Sequence, residues 1–246
     1  MKVVVTKSYE DTCAHIAEMI KDLVNKKPNA KLGLATGGTP VPIYQRLIAM
    51  NKAGEVDFAN VRTVNLDEYC GIPGTHDQSY RYFMDTNLFN HININKANTF
   101  VASGMGDAQE NANELERMVR EGGAADLQLL GIGNNGHIAF NEANDSYLVA
   151  VAHTEQLTES TIEANARFFE KKEDVPTMAI TMGMGDILAA GCVVLAATGL
   201  GKVPAIKGLV MDDKITTQNP STMLKMHENV VVVIDEELAN AVGYKA

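Results

Sequence analysis

The sequence predicts an α/β fold in which a mainly parallel sheet carries helices on both faces. Short apolar segments alternate with amphipathic segments along the whole chain, and this alternation is typical of parallel sheets. Two of the apolar segments, VVVVID at 230–235 and CVVLAA at 192–197, are nearly uninterrupted, as expected for strands covered on both faces. A length of 246 residues suits one large core, so we expect residues 1–246 to form a single domain.

The predicted elements follow one another in β–α order from the N-terminus. Apolar segments bounded by turn residues predict strands at Val3–Thr6, Leu32–Thr36, Val61–Leu66, Leu127–Gly131, Thr177–Thr181, Cys192–Ala197 and Val230–Ile234. Apolar residues at helical spacing predict helices at Tyr9–Lys26, Val41–Asn51, Ala108–Arg120 and Val203–Met211.

Composition excludes several classes of protein. A formal net charge of −10 disfavours a nucleic-acid binder, because such binding depends on many Lys and Arg contacts to phosphates. The three cysteines, Cys13, Cys70 and Cys192, are widely spaced, which argues against a disulfide framework and a zinc site. The N-terminal apolar run is too short for a signal peptide, and no apolar stretch approaches 18 residues. We therefore expect a cytoplasmic protein that is not bound to a membrane.

The segment GIGNNGHIAFNE, residues 131–142, is the strongest candidate for a site of chemistry. It follows a predicted strand, and small ligands bind at the carboxyl ends of strands in open α/β sheets. His137 and Glu142 can move protons or orient groups that do. In the simpler interpretation, Gly133 and Gly136 make only a tight connection and His137 is a core residue.

The glycines of this segment also match G-x-G-x-x-G, so a dinucleotide site has to be considered. That fingerprint opens a helix and usually follows the first strand of its unit. The residues after Gly136 are not an obvious helix start, and the segment follows the fourth or fifth strand. The sequence context therefore disfavours a nicotinamide or flavin enzyme.

Two glycine-rich turns are candidate phosphate sites. In LATGGTP, residues 34–40, Gly37 and Gly38 permit unusual backbone conformations, and Thr39 can cap the next helix. The free amides at the N-terminus of that helix suit a phosphate. The alternative is a plain glycine turn with a helix cap. In TGLGK, residues 198–202, Lys202 can neutralise a phosphate, although the segment is not a Walker A loop; the alternative is a solvated lysine.

Two further charged residues are candidates. Asp67, in NLDEY after the third predicted strand, could act as a general base, although an isolated Asp is more often a helix cap or a surface charge. Arg167, in ANARFF, follows a stretch from residue 121 without Lys or Arg and stands before Phe168 and Phe169. This isolation favours a placed anion contact, and a surface ion pair is the alternative.

The motifs LATGGTP, NLDEY, SYRYFM, GIGNNGHIAFNE, ANARFF and TGLGK occur in the order found in glucosamine-6-phosphate deaminases. The chain resembles that family from its second predicted strand to its last. The resemblance implies the modified Rossmann-like sheet that these enzymes share with 6-phosphogluconolactonases. It also implies conversion of glucosamine 6-phosphate and water to fructose 6-phosphate and ammonia, with no metal or organic cofactor.

The resemblance also implies roles for the site residues. His137 would open the sugar ring with support from Glu142, and Asp67 would carry a proton from C2 to C1. Many relatives have Asp where this chain has Asn135, so we expect Asn135 to orient the site without acid–base work. The implied phosphate pocket consists of Gly37, Gly38, Thr39, Arg167 and Lys202, and residues 145–175 would form a mobile lid.

The sequence also bears on regulation and on the choice of substrate. Relatives activated by N-acetylglucosamine 6-phosphate carry basic residues after the GHIAFNE motif. Residues 143–166 contain no Lys or Arg and only His153, so we expect no such activation. The alternatives for function are a galactosamine-6-phosphate isomerase or deaminase, a 6-phosphogluconolactonase-like hydrolase, and a non-catalytic sugar-phosphate sensor. The expected partner is a small sugar phosphate, and both a monomer and a homo-oligomer are compatible with the sequence.

Overall fold

A computed structural model describes residues 1–167 and 169–245, so Phe168 and Ala246 lie outside the described residues. Seven strands form one sheet in which all neighbours are parallel. Their bounds are β1 Lys2–Thr6, β2 Lys31–Leu34, β3 Arg62–Asn65, β5 Thr99–Phe100, β6 Leu127–Leu130, β9 Val193–Ala197 and β10 Val230–Asp235. Their spatial order is β1-β10-β9-β6-β2-β3-β5.

A second, antiparallel sheet contains three strands in the order β4-β8-β7. Their bounds are β4 Asp67–Tyr69, β7 His153–Gln156 and β8 Met178–Thr181. The sequence predicted β8 as one more strand of the parallel alternation, and its place in a separate antiparallel sheet corrects that expectation. The sequence did not predict β4 and β7, because their DEY and HTEQ segments lack an apolar run.

Helices follow most of the strands. Their bounds are α1 Tyr9–Lys26, α2 Pro40–Lys52, α3 Tyr80–Met84, α4 Ala108–Arg120, α5 Glu159–Ala166, α6 Met184–Leu188, α7 Val203–Val210 and α8 Glu236–Val242. The predicted bounds of α1 and α4 are confirmed. The residue Ser8 caps α1 and Asp107 caps α4, each by accepting a hydrogen bond from a backbone N–H three residues on.

The core lies between the parallel sheet and its helices. The strands β6 and β9 are buried along their whole length, which agrees with their apolar sequences. One buried charge is part of this core. The ammonium of Lys31 donates to four carbonyl oxygens at and after the end of α4, on Met118, Val119, Glu121 and Gly123, at 2.6–3.0 Å. In the described part of the chain, no helix is both long and apolar enough to cross a membrane.

Candidate active site

The predicted site residues other than Arg167 lie in segments at one edge of the parallel sheet. The strands β9, β6, β2 and β3 are adjacent and parallel, so their carboxyl ends share that edge. The TGLGK turn follows β9, the His137 turn follows β6, the LATGGTP turn follows β2, and Asp67 comes shortly after β3. Ligands of open α/β sheets bind in such a crevice, so the fold places all of these segments where a small molecule can bind.

The turn that carries His137 needs its glycines. The N–H of Gly133 donates to the carbonyl oxygen of His137 at 2.9 Å, which closes the turn. A Cβ atom on Gly133 would lie 2.3 Å from Cε1 of His137, so only glycine lets the imidazole lie against this backbone. Gly136 has φ +85°, and Ala139 has φ 54°, which is unusual for a residue with a side chain. No helix begins in this turn, so the G-x-G-x-x-G match lacks the helix N-terminus that a dinucleotide site uses.

His137, Glu142 and Asn135 are in contact. Nδ1 of His137 lies 3.5 Å from Oε2 of Glu142, and the Glu142 side chain is only 4% exposed. Oδ1 of Asn135 accepts a hydrogen bond from the backbone N–H of His137 at 3.2 Å. Burial by itself would raise the pKa of Glu142, but contacts with His137, Thr161 and Asn135 outweigh it and hold the pKa below its usual value. Glu142 is therefore an anionic partner for the imidazole at neutral pH.

Asp67 is a buried acid. It is 7% exposed and is the first residue of β4, so the structure excludes the helix-cap and surface-charge alternatives. Burial, with a smaller contribution from the neighbouring charge of Glu68, raises the pKa of Asp67 to about 8. A carboxyl group whose pKa lies near neutrality is suited to take up and return a proton.

The strand that begins with Asp67 is tied to the His137 turn. Asp67 pairs with Thr181 across the antiparallel sheet, and Oγ1 of Thr181 accepts a hydrogen bond from the N–H of Phe140 at 3.1 Å. The ring of Phe140 packs on Tyr69 with centroids 5.7 Å apart. These contacts hold the acid and the imidazole turn in a fixed relationship.

Sequence reasoning missed a second buried carboxylate, Glu68. It accepts backbone hydrogen bonds from Tyr69 and Tyr80 at 2.9 Å and from Arg81 at 3.0 Å. Burial raises the pKa of Glu68, although these N–H donors oppose the shift. Glu68 thus fastens the start of α3 to β4. The only sequence signal was its position directly after Asp67.

The turn after β2 presents an unobstructed helix N-terminus. Gly37 has φ +100°, and a Cβ atom on Gly38 would meet nothing within 4 Å. The expected cap was wrong: Thr39 precedes α2 with φ −62° and ψ −44°, and its side chain makes no capping hydrogen bond. This helical backbone differs from the extended backbone that a side-chain cap requires. The helix begins at Pro40, one residue before the predicted start at Val41. Because Pro40 and Pro42 carry no N–H, the donors that this terminus offers an anion are the N–H of Val41 and those of the glycine turn before it.

Two cations lie near the other glycine-rich turn. Lys202 precedes α7 and is half-buried, which disagrees with the solvated alternative. Burial lowers the pKa of Lys202, and the positive charge of Arg167 lowers it further. Arg167 is the residue directly after α5 and is exposed. A pair of cations beside the start of α7 is suited to a dianion such as a phosphate.

Comparison with known proteins agrees with this geometry. The family model of glucosamine-6-phosphate isomerases and 6-phosphogluconolactonase matches residues 6–233. The chain belongs to this family. A glucosamine-6-phosphate deaminase of Clostridium beijerinckii is 53% identical over 243 residues, which cover 98% of this chain and 100% of that protein. A deaminase of Thermoanaerobacter sp. is 47% identical, with 98% and 95% of the two chains covered.

Solved structures in this family share the fold. A structure described as a monomeric glucosamine-6-phosphate deaminase superposes with a TM-score of 0.94 at 38% identity and covers 98% of this chain and 100% of its own. The 6-phosphogluconolactonase of Thermotoga maritima superposes with a TM-score of 0.76 at 18% identity, covering 96% and 99%. The second likeness concerns the fold alone. The modified Rossmann-like α/β fold that the motifs implied is therefore confirmed.

Proposed function

We propose that this protein converts glucosamine 6-phosphate and water to fructose 6-phosphate and ammonia. The observation that carries the proposal is a buried acid, Asp67, that shares one sheet edge with a paired imidazole and carboxylate. The isomerisation needs a base that also returns its proton, and ring opening needs a separate group that can both accept and donate a proton. The relatives named as deaminases, which are 53% and 50% identical in sequence to this chain, support the same activity.

Ring opening falls to His137. Glu142 faces Nδ1 of the imidazole and favours the tautomer that carries a proton there. Nε2 is then free to take the proton of the anomeric hydroxyl and to deliver it to the ring oxygen. The products of this step are an open-chain 2-amino aldehyde and an unchanged imidazole. Asn135 holds the backbone of His137 and has no proton to exchange at neutral pH.

Isomerisation falls to Asp67. Its carboxylate removes the proton from C2, a proton of the substrate's ammonium group passes to the C1 oxygen, and a neutral enolamine forms. Return of the C2 proton from Asp67 to C1 gives an iminium ion at C2, water adds to that carbon, and ammonia and a proton leave as the ketone forms. An ammonium group on the bound substrate would lower the pKa of Asp67 and so ionise the base where it is needed. Proton transfers and water suffice for these steps, so we propose no metal or organic cofactor, and we expect a cytoplasmic location.

Substrate positioning falls to the two glycine-rich turns. We assign the phosphate group to Gly37, Gly38, Thr39, Arg167 and Lys202. We also propose that residues 145–175, which include β7 and α5, act as a lid within a single domain spanning 1–246. Binding of the phosphate would draw Arg167 toward Lys202 and close the lid over the sugar. The charge of a dianion offsets the repulsion between the two cations, which is the reason to expect closure on binding.

The test is to supply glucosamine 6-phosphate, galactosamine 6-phosphate and 6-phosphogluconolactone separately and to measure ammonia, ketose phosphate and lactone hydrolysis. We expect ammonia and ketose phosphate from the gluco sugar. The Asp67→Asn variant should lose about 10²–10⁴-fold in rate. Asp22→Asn makes the same change at an exposed position of α1 and should match the wild-type protein.

Four outcomes would contradict the proposal. Faster reaction with the galacto sugar would favour the epimeric substrate, and lactone hydrolysis without ammonia would favour the hydrolase. Binding of sugar phosphates without turnover would favour a sensor. An Asp67→Asn variant as active as the wild-type protein would exclude the role of the acid.

A further inference from the structure

Glu142 is held from a second side that the mechanism above does not use. The hydroxyl of Thr161 donates a hydrogen bond to Oε1 of Glu142, while Oε2 faces Nδ1 of His137 at 3.5 Å. Thr161 is 5% exposed. The last torsion of a glutamate side chain is soft, so a carboxylate held through one oxygen alone can rotate. The hydroxyl removes that freedom and keeps the other oxygen turned toward the imidazole.

The hydroxyl of Thr161 is itself oriented. Thr158 is the N-cap of α5, and its oxygen accepts from the N–H of Thr161 at 3.3 Å. The hydroxyl of Thr158 in turn donates to Oγ1 of Thr161 at 3.1 Å. Because a carboxylate can only accept, the Thr161 hydroxyl directs its proton to Glu142 while its oxygen accepts from Thr158. The start of α5 is thus joined to the ring-opening pair by a directional chain of hydrogen bonds.

The other end of the same helix leads into Arg167, to which the phosphate contact is assigned above. The helix α5 spans eight residues, Glu159–Ala166, and Arg167 follows it directly. Thr161 and Arg167 are six residues apart, which is about 9 Å along a helix axis. The helix therefore contacts the ring-opening carboxylate near its first turn and leads at its end into Arg167, whose charge lowers the pKa of Lys202.

We propose that Thr161 is a positioning residue that couples phosphate binding at Arg167 to the orientation of Glu142 toward His137. This proposal rests on the proposed function. When a phosphate fixes Arg167, α5 is fixed with it, and the Thr161 hydroxyl holds the carboxylate in line with the imidazole. The phosphate thus adds a constraint on α5 at Arg167, and this constraint improves the alignment of the ring-opening pair. A substrate that lacks the phosphate would therefore lose turnover as well as affinity.

The first test compares Thr161→Val, which keeps the branched shape without the hydroxyl, with Thr161→Ser, which keeps the hydroxyl. For Thr161→Val we expect kcat to fall about tenfold, the size of one lost hydrogen bond to a charged group, with KM within threefold of wild type. The acid limb of the kcat–pH profile should move to higher pH, because loss of the donor raises the pKa of Glu142. Thr161→Ser should restore both values.

The second test is a double-mutant cycle with Arg167→Ala. If α5 transmits the constraint, Thr161→Val should cost less than threefold in kcat once Arg167 is gone. Additive losses would overturn the coupling. An unchanged pH profile in Thr161→Val, or a Thr161→Ser variant as impaired as Thr161→Val, would overturn the positioning role.

A third measurement separates this proposal from the proposed function. The carboxyl carbon of Glu142 can be titrated by ¹³C NMR without substrate and assigned by its loss in Glu142→Gln. We expect a higher titration midpoint in Thr161→Val than in wild type, and a wild-type midpoint in Thr161→Ser. An inactive wild-type protein would refute the proposed function, while equal midpoints in all three proteins would refute the anchoring by Thr161.

Discussion

The substitution Asp67→Asn should stabilise this protein at alkaline pH while it lowers turnover about 10²–10⁴-fold. The carboxyl is buried, and its pKa rises from 3.8 to about 8 mainly because burial disfavours the charged form. Each pKa unit corresponds to about 1.4 kcal/mol, so ionising Asp67 costs of the order of 5 kcal/mol more in the folded protein than in the unfolded chain. Asparagine has nearly the same shape and carries no charge at any pH.

The direction in which stability changes with pH follows from the protonation of Asp67 in the folded protein and in the unfolded chain. Below pH 4 the acid is protonated in both states, and its contribution to stability is fully present. Between pH 4 and pH 8 the unfolded chain releases the proton while the folded protein keeps it, so the free energy of unfolding falls as pH rises. The amide of the variant has no such equilibrium. The difference in stability between variant and wild type should therefore grow from near zero at pH 4 to several kcal/mol at pH 9.

The assay is urea unfolding of wild type, Asp67→Asn and the surface control Asp22→Asn at pH 5, 7 and 9. The control should follow the wild-type curve. Parallel curves for Asp67→Asn and wild type, or a variant less stable than wild type at pH 9, would refute the argument from burial. Asp67 should also determine the pH dependence of the wild-type kcat/KM. We expect kcat/KM to rise as the pH approaches about 8, because Asp67 ionises over this range.

Three further predictions concern the rest of the site. Arg167→Ala should raise KM for glucosamine 6-phosphate and lower kcat, each about tenfold in steady-state assays, and unchanged constants would refute the clamp. Asn135→Asp places a second carboxylate beside Glu142 and should move the acid limb of the pH–rate profile upward by about one unit, whereas a superimposable profile would count against this placement. N-acetylglucosamine 6-phosphate should not activate the protein, because Nε2 of His153 lies 3.3 Å from Oε2 of Glu155, whose charge repels a phosphate. A sigmoidal rate curve that becomes hyperbolic when this sugar is added would show that activation occurs.

The sequence by itself determined six of the seven strands of the main sheet, all but the two-residue edge strand β5, and the segments that form the site. The bounds of α1 and α4 were readable because capping residues and helical spacing act within a few residues of each other. The strands β9 and β10 were readable because burial on both faces demands nearly continuous apolar runs. Glycine-rich turns after such strands pointed to the sheet edge at which the site lies.

Only the tertiary structure decided the chemistry of individual charges. NLDEY does not show that Asp67 starts a buried antiparallel strand, because that burial comes from β8, more than 100 residues away. Nor does the sequence show that Thr39 leaves α2 uncapped or that Thr161 reaches Glu142. From the sequence alone, Lys31 would be taken for a surface charge. In the structure its ammonium is surrounded by four carbonyl oxygens at and after the end of α4. Local patterns specify backbone conformation, whereas the pKa and orientation of a side chain depend on desolvation and on partners that only the folded chain brings together.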